Sequence, residues 1–325
     1  MRELHAPTLD ECREAHVRIA PHVTATPLLR YDGDDPVVAI DLKLENLQPI
    51  GSFKLRGALN RMLSMPPAEL ANGVYTASAG NMAQGVAYAA RALGIPASVV
   101  VPETAPRAKL DAIVRLGAAI VQVPYDDWWT TMRDHGRAGM RGAFVHPFAD
   151  RDVMAGNGTV ALELLEAAPD CDVILVPWGG GGLACGIAAA AKAIRPQVRV
   201  FACEMEGAAP LSASLAAGRP VSIENRRSFV DGIGGRGVLA EMWPLARELI
   251  AGALRVSEDD AAESVRLMAR RARVIAEGAG AAALAAARAH VSSITPQPKR
   301  VACIVSGGNI DTSVLAAILS GATPP

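Results

Sequence analysis

The sequence predicts an α/β protein built on mainly parallel sheets. Short apolar segments with strand character alternate with helical patterns along the chain, which is typical of parallel sheets covered by helices. Clusters of glycine and polar residues follow several of these strands, at the edge where ligands bind in such folds. Half of the 325 residues are hydrophobic and a fifth are charged, so the chain can form a substantial core. Its length suits two domains or one large one.

The predicted elements begin with a helix whose start carries a clear signal. Thr8 and Glu11 have the spacing of a capping box, and the amphipathic pattern after them ends near Pro21. A second helix is expected to end at Gly94, and a third to begin at Pro106. The segments with strand character are 37–44, 97–101, 118–123, 173–176, 198–202 and 301–305, and the later helical segments are 84–93, 106–117 and the Ala-rich stretch after Gly182.

Charge and composition exclude several classes of function. The formal net charge is −1 and the arginines are dispersed, so no basic surface is expected for nucleic acid or an anionic membrane. The apolar runs are too short to cross a bilayer, and the N-terminus lacks the apolar segment of a secretory signal. The five cysteines form no Cys-x-x-Cys pair. This favours a reducing cytoplasm and argues against a disulfide framework or a zinc site.

One lysine has a setting that suits covalent chemistry. Lys54 follows Gly51, Ser52 and Phe53, shortly after a predicted strand. An amine must be neutral to attack an aldehyde, and partial burial lowers the pKa of a lysine. A bare lysine here is better explained as a surface residue at a helix start, so a catalytic role for Lys54 needs the support of other motifs in the chain.

A loop of small residues, Ser78 to Gly80, leads into the helix that is expected to end at Gly94. Backbone N–H groups are exposed at the start of a helix, and they attract anions. The loop therefore suits the carboxylate of a substrate. An ordinary capped helix start is the alternative interpretation.

Four consecutive glycines, Gly179–Gly182, lie between a strand and a helix. Without side chains, several backbone N–H groups can turn towards one phosphate. The spacing of Gly180, Gly182 and Gly186, with Glu204 roughly twenty residues further on, also fits a dinucleotide-binding turn. That alternative predicts an NAD(P)-dependent oxidoreductase, although no other segment of the chain supports nicotinamide chemistry.

The segment from Gly51 to Ala58 reads Gly-Ser-Phe-Lys-Leu-Arg-Gly-Ala. It resembles the cofactor-lysine motif of the threonine dehydratase and serine racemase group, which are fold-type II pyridoxal phosphate (PLP) enzymes. Lys-Leu-Arg favours the dehydratase branch, because the related cysteine synthases have Lys-Asp-Arg. The resemblance extends from Thr26 to Asn309 and implies the two-domain, tryptophan synthase β-like fold.

This resemblance implies a role for each motif. Lys54 would hold PLP as a Schiff base and act as the catalytic base, with Phe53 beside the ring. Asn81 would bond the phenolic oxygen of the cofactor, and Ser306 would face the pyridine nitrogen. The implied cofactor-binding residues are Phe53, Lys54, Asn81, Gly179, Gly180, Gly181, Gly182, Leu183, Gly232, Glu277 and Ser306, and the implied substrate-binding residues are Ser78, Ala79, Gly80 and Asn81.

The implied reaction converts a 3-hydroxy amino acid, threonine or serine above all, to a 2-oxo acid and ammonia. In serine racemases of the eukaryotic type, the position of Ala79 holds a serine that exchanges a proton. Alanine cannot do so, which disfavours the second possible function, an amino-acid racemase. Met82 replaces the histidine that is common in dehydratases, so a bulkier 3-hydroxy amino acid is a possible substrate. A non-catalytic amino-acid or PLP-binding protein is a third possible function, and the intact Lys54, Asn81 and Ser306 argue against it.

The resemblance also implies how the chain is organised. The large PLP-binding domain would comprise residues 1–72 and 150–325, and the small substrate-loop domain residues 73–149. A homodimer is expected, with an amino acid substrate and without nucleic acid or membrane partners. No metal site is predicted, because Pro210 replaces a carboxylate that some relatives place beside Glu204 and Ala208.

Overall fold

The computed structural model describes residues 3–33, 37–226 and 228–325. Within them the chain forms ten β-strands and thirteen α-helices. The strands are β1 (Leu28–Tyr31), β2 (Ala39–Lys43), β3 (Val74–Ala77), β4 (Ala97–Pro102), β5 (Ala119–Val123), β6 (Ala143–Phe144), β7 (Val173–Pro177), β8 (Arg199–Met205), β9 (Gly252–Val256) and β10 (Arg300–Ile304). The helices are α1 (Leu9–Ile19), α2 (Lys54–Ser64), α3 (Pro67–Leu70), α4 (Asn81–Leu93), α5 (Arg107–Arg115), α6 (Tyr125–Arg133), α7 (Arg151–Ala167), α8 (Gly182–Ile194), α9 (Pro210–Ala217), α10 (Trp243–Leu249), α11 (Glu258–Leu267), α12 (Gly278–His290) and α13 (Thr312–Leu319).

Six strands form the larger sheet, in the order β1-β2-β10-β7-β8-β9. Only the pair β1–β2 is antiparallel among the strand pairs of this sheet that the structure describes. In the register of the sheet, Ala302 of β10 lies between Asp41 of β2 and Ile174 of β7. The predicted α/β fold with mainly parallel sheets is confirmed.

The side chains of the central strands divide between two cores. Ile174 and Val176 of β7 pack with α1, α7 and α8, whereas Val173 and Leu175 pack with α11 and α12. Neighbouring residues of a strand point to opposite faces, so this division places helices on both faces of the sheet. Every residue of β7 is buried, which explains why the segment reads as an unbroken apolar run.

Four parallel strands form the smaller sheet, in the order β5-β4-β3-β6. All four lie between Val74 and Phe144, whereas the larger sheet takes strands from before and after this segment. Val99 and Val101 of β4 pack with α2 and α4, and Val100 packs on the opposite face. The domain limits proposed above, 73–149 for the small domain, remain a prediction, because sheet membership alone sets no boundary.

Local contacts and backbone conformation explain where two of the predicted helices begin and end. Thr8 and Glu11 form the predicted capping box at the start of α1. The fourth helix begins at Asn81, three residues before the sequence estimate, because the helix opens directly from the small-residue loop. It ends where Gly94 takes a left-handed conformation with φ of 67°.

All five cysteines are free and buried, and burial raises the pKa of Cys185 to about 12. They are therefore core residues without a reactive thiolate. Within the described residues, no helix combines the length and the apolar character that a membrane span requires.

Candidate active site

Lys54 is the first residue of α2, and the segment before it lies against the carboxyl end of β10. Phe53 donates its backbone N–H to the Ser306 carbonyl oxygen at 3.0 Å. Ser52 forms an isolated β-bridge with Gly307. The lysine motif and the Ser306 segment, which lie far apart in the sequence, therefore form one unit at the carboxyl edge of the larger sheet.

The amine of Lys54 is surrounded by protein, although the residue as a whole is only half-buried. Nζ donates a hydrogen bond to the Pro147 carbonyl oxygen at 2.6 Å and lies 5.1 Å from the centre of the Phe53 ring. Burial lowers the pKa of Lys54 to about 8, because removal from water disfavours the ammonium form. A neutral amine is thus accessible near neutral pH.

The glycines after β7 lie where side chains do not fit. A Cβ at Gly180 would come within 2.3 Å of the Phe148 ring, and one at Gly182 within 2.6 Å of the Phe148 carbonyl oxygen. Gly181 has a φ of 93°, which L-residues with side chains rarely adopt. The loop therefore offers its backbone alone to a ligand.

The donors of this loop fit a phosphate group. The first-turn amides of α8, on Gly182, Leu183 and Ala184, have no carbonyl partner within the helix. The Leu183 side chain is buried in the core, so only its backbone can serve a ligand. A helix N-terminus carries partial positive charge, and Gly179–Leu183 contains no acidic side chain to oppose an anion. Together with the aldehyde-reactive amine of Lys54, this donor set is compatible with PLP.

The small-residue loop lies beside α2. A Cβ at Gly85 of α4 would lie 3.1 Å from the Lys54 carbonyl oxygen, so the two helices are in close contact. Gly80 donates its backbone N–H to Ser78 Oγ at 3.2 Å, and a Cβ at Gly80 would meet no atom within 4 Å. The loop thus faces open space, while Ala79 packs partly against the core.

Met82 does not face that open space. Its side chain is 1% exposed and belongs to the apolar core that also contains Leu55 and Val99. The replacement of histidine at this position is therefore a change in core packing. It gives no argument for a bulkier substrate.

Three polar side chains connect α4, α12 and the segment after β10. Asn81 Nδ2 donates to Glu277 Oε1 at 2.8 Å, and Asn309 Nδ2 donates to Asn81 Oδ1 at 2.8 Å. A Cβ at Gly307 would lie 2.5 Å from Glu277 Oε1. The carboxyl of Glu277 is therefore held close against the backbone of the Ser306 segment.

The electrostatic setting of Glu277 opposes its ionisation. Burial, followed by the charge of Asp231, raises the pKa of Glu277 to about 7, and the hydrogen bond from Asn81 only partly offsets this. Lys109 of α5 forms a salt bridge with Asp231 and also acts to lower the pKa of Glu277. Near neutral pH the Glu277 side chain is divided between its two protonation states.

We expect Glu277→Gln to stabilise the cofactor-free protein at pH 8 by about 1–3 kcal/mol. The folded pKa of about 7 exceeds the ordinary 4.5, so the penalty for the ionised carboxylate is fully present above pH 7 and disappears as pH falls to 4.5. Glutamine keeps an acceptor for Asn81 and carries no charge. Urea denaturation at pH 8 and pH 4.5 measures the difference, with exposed Glu69→Gln as control. Equal stability of wild type and Glu277→Gln at pH 8 would contradict the argument.

Gly232 lies between the glycine loop and Glu277, in a 3₁₀ turn that spans Asp231–Ile233. A Cβ at Gly179 would lie 3.3 Å from the Gly232 carbonyl oxygen. A Cβ at Gly232 would lie 2.8 Å from the Ala279 side chain and 3.6 Å from Glu277 Oε1. This turn therefore contacts both the glycine loop and Glu277.

The structure therefore brings the residues of every predicted motif into one region, at the carboxyl edges of both sheets. Direct contacts or chain neighbours connect each of them to Lys54, the glycine loop or Glu277. They are Phe53, Lys54, Ser78, Ala79, Gly80, Asn81, Gly179, Gly180, Gly181, Gly182, Leu183, Gly232, Glu277 and Ser306.

Glu204 argues against the dinucleotide-binding alternative. Its carboxylate is fully buried and accepts hydrogen bonds from Leu211 N at 2.7 Å, Ser212 N at 2.8 Å and Ser212 Oγ at 2.7 Å. These bonds cap the start of α9, and because the carboxylate is fully buried, a ribose hydroxyl cannot reach it. The glycine spacing that suggested a nicotinamide cofactor is therefore explained by the tight turn between β7 and α8.

The sequence does not predict the role of the turn that follows β6. His146-Pro147 suggests a structural turn, yet the Pro147 carbonyl oxygen is the hydrogen-bond partner of the Lys54 amine. Phe148, in the same turn, packs on the glycine loop. The sequence also did not predict the contact of Asn309, after β10, with Asn81. A backbone carbonyl has no sequence signature. Only the position of this turn after a strand could have suggested that it lies near Lys54.

Comparison with known proteins shows which family the chain resembles. The model of the family described as pyridoxal-phosphate dependent enzyme matches residues 19–307. The chain is 37% identical to a serine racemase of Oryza sativa subsp. indica over 96% of this chain and 93% of the relative. It is also 37% identical to an L-threonine ammonia-lyase of Thermotoga maritima, over 96% of this chain and 78% of that protein. The structure of maize serine racemase superposes with a TM-score of 0.88 at 33% identity, covering 97% of this chain and 98% of the other.

Proposed function

The chain belongs to the family of pyridoxal-phosphate-dependent enzymes, and we propose that it is a lyase that releases ammonia from threonine or serine. The substrate loses water between its α and β carbons, and hydrolysis of the product gives a 2-oxo acid and ammonia. One observation carries the proposal: a buried amine, Lys54, lies beside a substrate loop whose residue 79 cannot exchange a proton.

The cofactor would be held by groups from four segments. The amides of Gly179–Leu183 would bind the phosphate, and the Ser306 hydroxyl would pair with the ring nitrogen. Asn81 would donate to the phenolic oxygen, and Phe53 would pack beside the ring. When bound, PLP supplies an aldehyde that amines attack and a ring that delocalises negative charge from the α carbon. A neutral serine hydroxyl leaves the ring a weaker electron sink than a carboxylate would, which suits elimination more than transamination.

Lys54 is both the anchor of the cofactor and the base in this proposal. With a pKa of about 8, roughly one amine in ten is neutral at pH 7, against roughly three in ten thousand for an ordinary lysine. Nζ takes the proton from the α carbon of the substrate. The Pro147 carbonyl oxygen, 2.6 Å from Nζ, orients the amine before it reacts.

The substrate carboxylate would bind at the start of α4. The first-turn amides of this helix have no intrahelical partner, and the helix N-terminus favours an anion. A Cβ at Gly80 would meet no atom within 4 Å, so there is open space in front of the helix for the carboxylate. The α carbon of the substrate is thereby brought towards Lys54.

Racemisation is the second candidate, because relatives named serine racemase and threonine ammonia-lyase are equally similar to this chain. A racemase needs a proton-exchanging group on each side of the α carbon. Lys54 supplies one of them, but the methyl group of Ala79 cannot supply the other. This difference favours the lyase.

The purified enzyme with PLP tests the proposal directly. L-Threonine and L-serine should give 2-oxobutyrate and pyruvate, detected as their phenylhydrazones, and ammonia in equal amount. Chiral chromatography of the remaining amino acid should show no D-enantiomer. Accumulation of D-serine at a rate comparable to pyruvate would overturn the lyase assignment in favour of the racemase.

We expect Ala79→Ser to create D-serine from L-serine at least about tenfold faster than wild type does. The new hydroxyl would provide the second proton-exchanging group on the loop, while Lys54 and the helix start are unchanged. Exposed Ala71→Ser is the matched control. An Ala79→Ser enzyme that keeps its lyase activity and forms no D-serine would show that residue 79 does not face the α carbon.

We also propose that the enzyme is a cytoplasmic homodimer. Five buried, free cysteines support a reducing compartment such as the cytoplasm. A homodimer is the proposed state, and light scattering coupled to size-exclusion chromatography measures it.

A further inference from the structure

The turn that joins β6 to α7 is organised by one buried histidine. His146 is 1% exposed. Its Nδ1 atom accepts hydrogen bonds from two backbone amides of the same turn, Phe148 N at 3.1 Å and Ala149 N at 2.7 Å. The residues His146 to Ala149 are called the 146–149 turn below. This imidazole does within the turn what an Asn or Asp side chain does in an Asx turn.

These contacts select one tautomer of the neutral His146 ring. A nitrogen that accepts two N–H groups carries no proton, so the proton of the neutral ring is on Nε2. Nε2 lies 3.1 Å from the carbonyl oxygen of Met132 in α6 and donates to it. Nδ1 therefore orders the turn, and Nε2 attaches the turn to a neighbouring helix.

The 146–149 turn contacts both reactive parts of the site. The Pro147 carbonyl oxygen accepts the hydrogen bond of Lys54 Nζ at 2.6 Å. The Phe148 ring and carbonyl oxygen fill the space beside Gly180 and Gly182. Displacement of this turn would move the partner of the amine and expose the amine to water.

A metal ion is a poor explanation for the polar cluster around this residue. His135, His146 and Glu241 have ligand atoms within 4.8 Å of one another. However, both nitrogens of His146 have hydrogen-bond partners in the protein, and His135 Nε2 lies 2.5 Å from Glu241 Oε1. The two imidazole rings are stacked at 4.3 Å with an interplanar angle of 28°. His135 therefore packs against the face of the His146 ring. The hydrogen bonds of His146 leave neither of its nitrogens available to a metal.

We propose that His146 is a positioning residue for Lys54, acting through its Nδ1 atom and the Pro147 carbonyl. The inference rests on the proposed function only in taking Lys54 as the reacting amine. It needs no assumption about the substrate or about the choice between lyase and racemase.

The two nitrogens can be tested separately by two substitutions. The amide of Asn reaches the place of Nδ1, so His146→Asn keeps the acceptor for Phe148 N and Ala149 N and loses the bond to Met132. The amide of Gln reaches the place of Nε2, so His146→Gln keeps the bond to Met132 and loses the acceptor. Thr131→Val removes a buried hydroxyl that bonds Asp127 O in the same helix as Met132, and it serves as control.

The measurement is the pKa of the Lys54 amine in the full-length, cofactor-free chain. The protein has five lysines, Lys43, Lys54, Lys109, Lys192 and Lys299, so reductive ¹³C-methylation gives a simple NMR spectrum. Lys54→Arg identifies the resonance of Lys54. Circular dichroism verifies that each variant is folded, and a loss of global stability alone would not move this pKa.

Burial lowers the pKa of Lys54, so a loosened turn that admits water should raise it. We expect His146→Gln to raise it by about one unit from its wild-type value and His146→Asn and Thr131→Val to leave it unchanged. A folded His146→Gln with the wild-type pKa, or a shift in His146→Asn alone, would overturn the proposal. An enzyme without lyase activity but with this pKa pattern would reject the proposed function and keep the role of His146.

Discussion

Replacement of Lys54 by Met is expected to reduce turnover of threonine and serine by at least roughly a thousandfold. The substitution keeps the length of the side chain and removes the amine that anchors the cofactor and takes the proton. Lys43 cannot substitute, because it is buried in an ion network with Glu163 and Glu45. Steady-state assays of 2-oxo acid formation measure the loss, and exposed Lys299→Met is the control for removal of a lysine.

The same variant should be more stable than wild type without cofactor. The folded pKa of Lys54, about 8, is lower than the ordinary 10.5, so the folded state disfavours the ammonium form. This penalty is fully present below pH 8 and disappears as pH rises to 10.5. Lys54→Met should therefore gain about 1–3 kcal/mol in unfolding free energy at pH 7 and much less at pH 10.5.

The two readouts for Lys54 separate function from folding. Urea denaturation at both pH values gives the stability, and the assay gives the activity. A Lys54→Met protein that turns over threonine normally would remove Lys54 from the mechanism. One that is inactive but no more stable at pH 7 would keep the mechanism and contradict the burial argument for the lowered pKa.

Several of the strands that the sequence predicted are buried on both sides, but β5 was predicted although it is mostly exposed or half-buried, and β3 was missed although all four of its residues are buried. The segments of β4, β7 and β10 are short apolar runs because helices cover both faces of their sheets. The sequence did not reveal β6, which has only two residues, or β9, which is mostly half-exposed. Such strands are too short or too mixed in polarity to carry a periodic signal, and they form because a neighbouring strand offers its free edge.

The sequence also predicted only part of the candidate site. The lysine motif and the glycine loop are local in sequence, so their residue types alone indicated the chemistry. The contacts that complete the site join distant residues: Lys54 and Pro147 are 93 positions apart, and Asn81 and Glu277 are 196 apart. These pairings are set by the packing of the two sheets. The sequence around a backbone carbonyl or a lone glutamate does not indicate which residue it will contact.

Behind Lys54, a buried ion network holds the helix that carries it. Arg56 is fully buried in α2, and its guanidinium donates to Glu45 Oε2 at 2.7 Å and to Glu163 Oε1 at 2.7 Å. It also bonds the Thr159 hydroxyl at 3.0 Å. Burial alone would lower the pKa of Arg56, but the charges of Glu45 and Glu163 outweigh it and hold this pKa above its usual range. Lys43 also bonds Glu163, so two cations face two carboxylates.

Arg56→Met is expected to destabilise the protein by about 3–5 kcal/mol, because it leaves Lys43 to balance two buried carboxylates. Arg56→Lys should recover only part of this loss, since an ammonium cannot reproduce the forked bonds of the guanidinium to two partners. Urea denaturation gives the values, with Arg13→Met, which removes an exposed pair with Asp10, changing stability by less than about 0.5 kcal/mol. Because α2 begins at Lys54, Arg56→Met protein that remains folded should also bind PLP more weakly. Wild-type stability and cofactor affinity in Arg56→Met would mean that the network neither stabilises the fold nor positions the catalytic lysine.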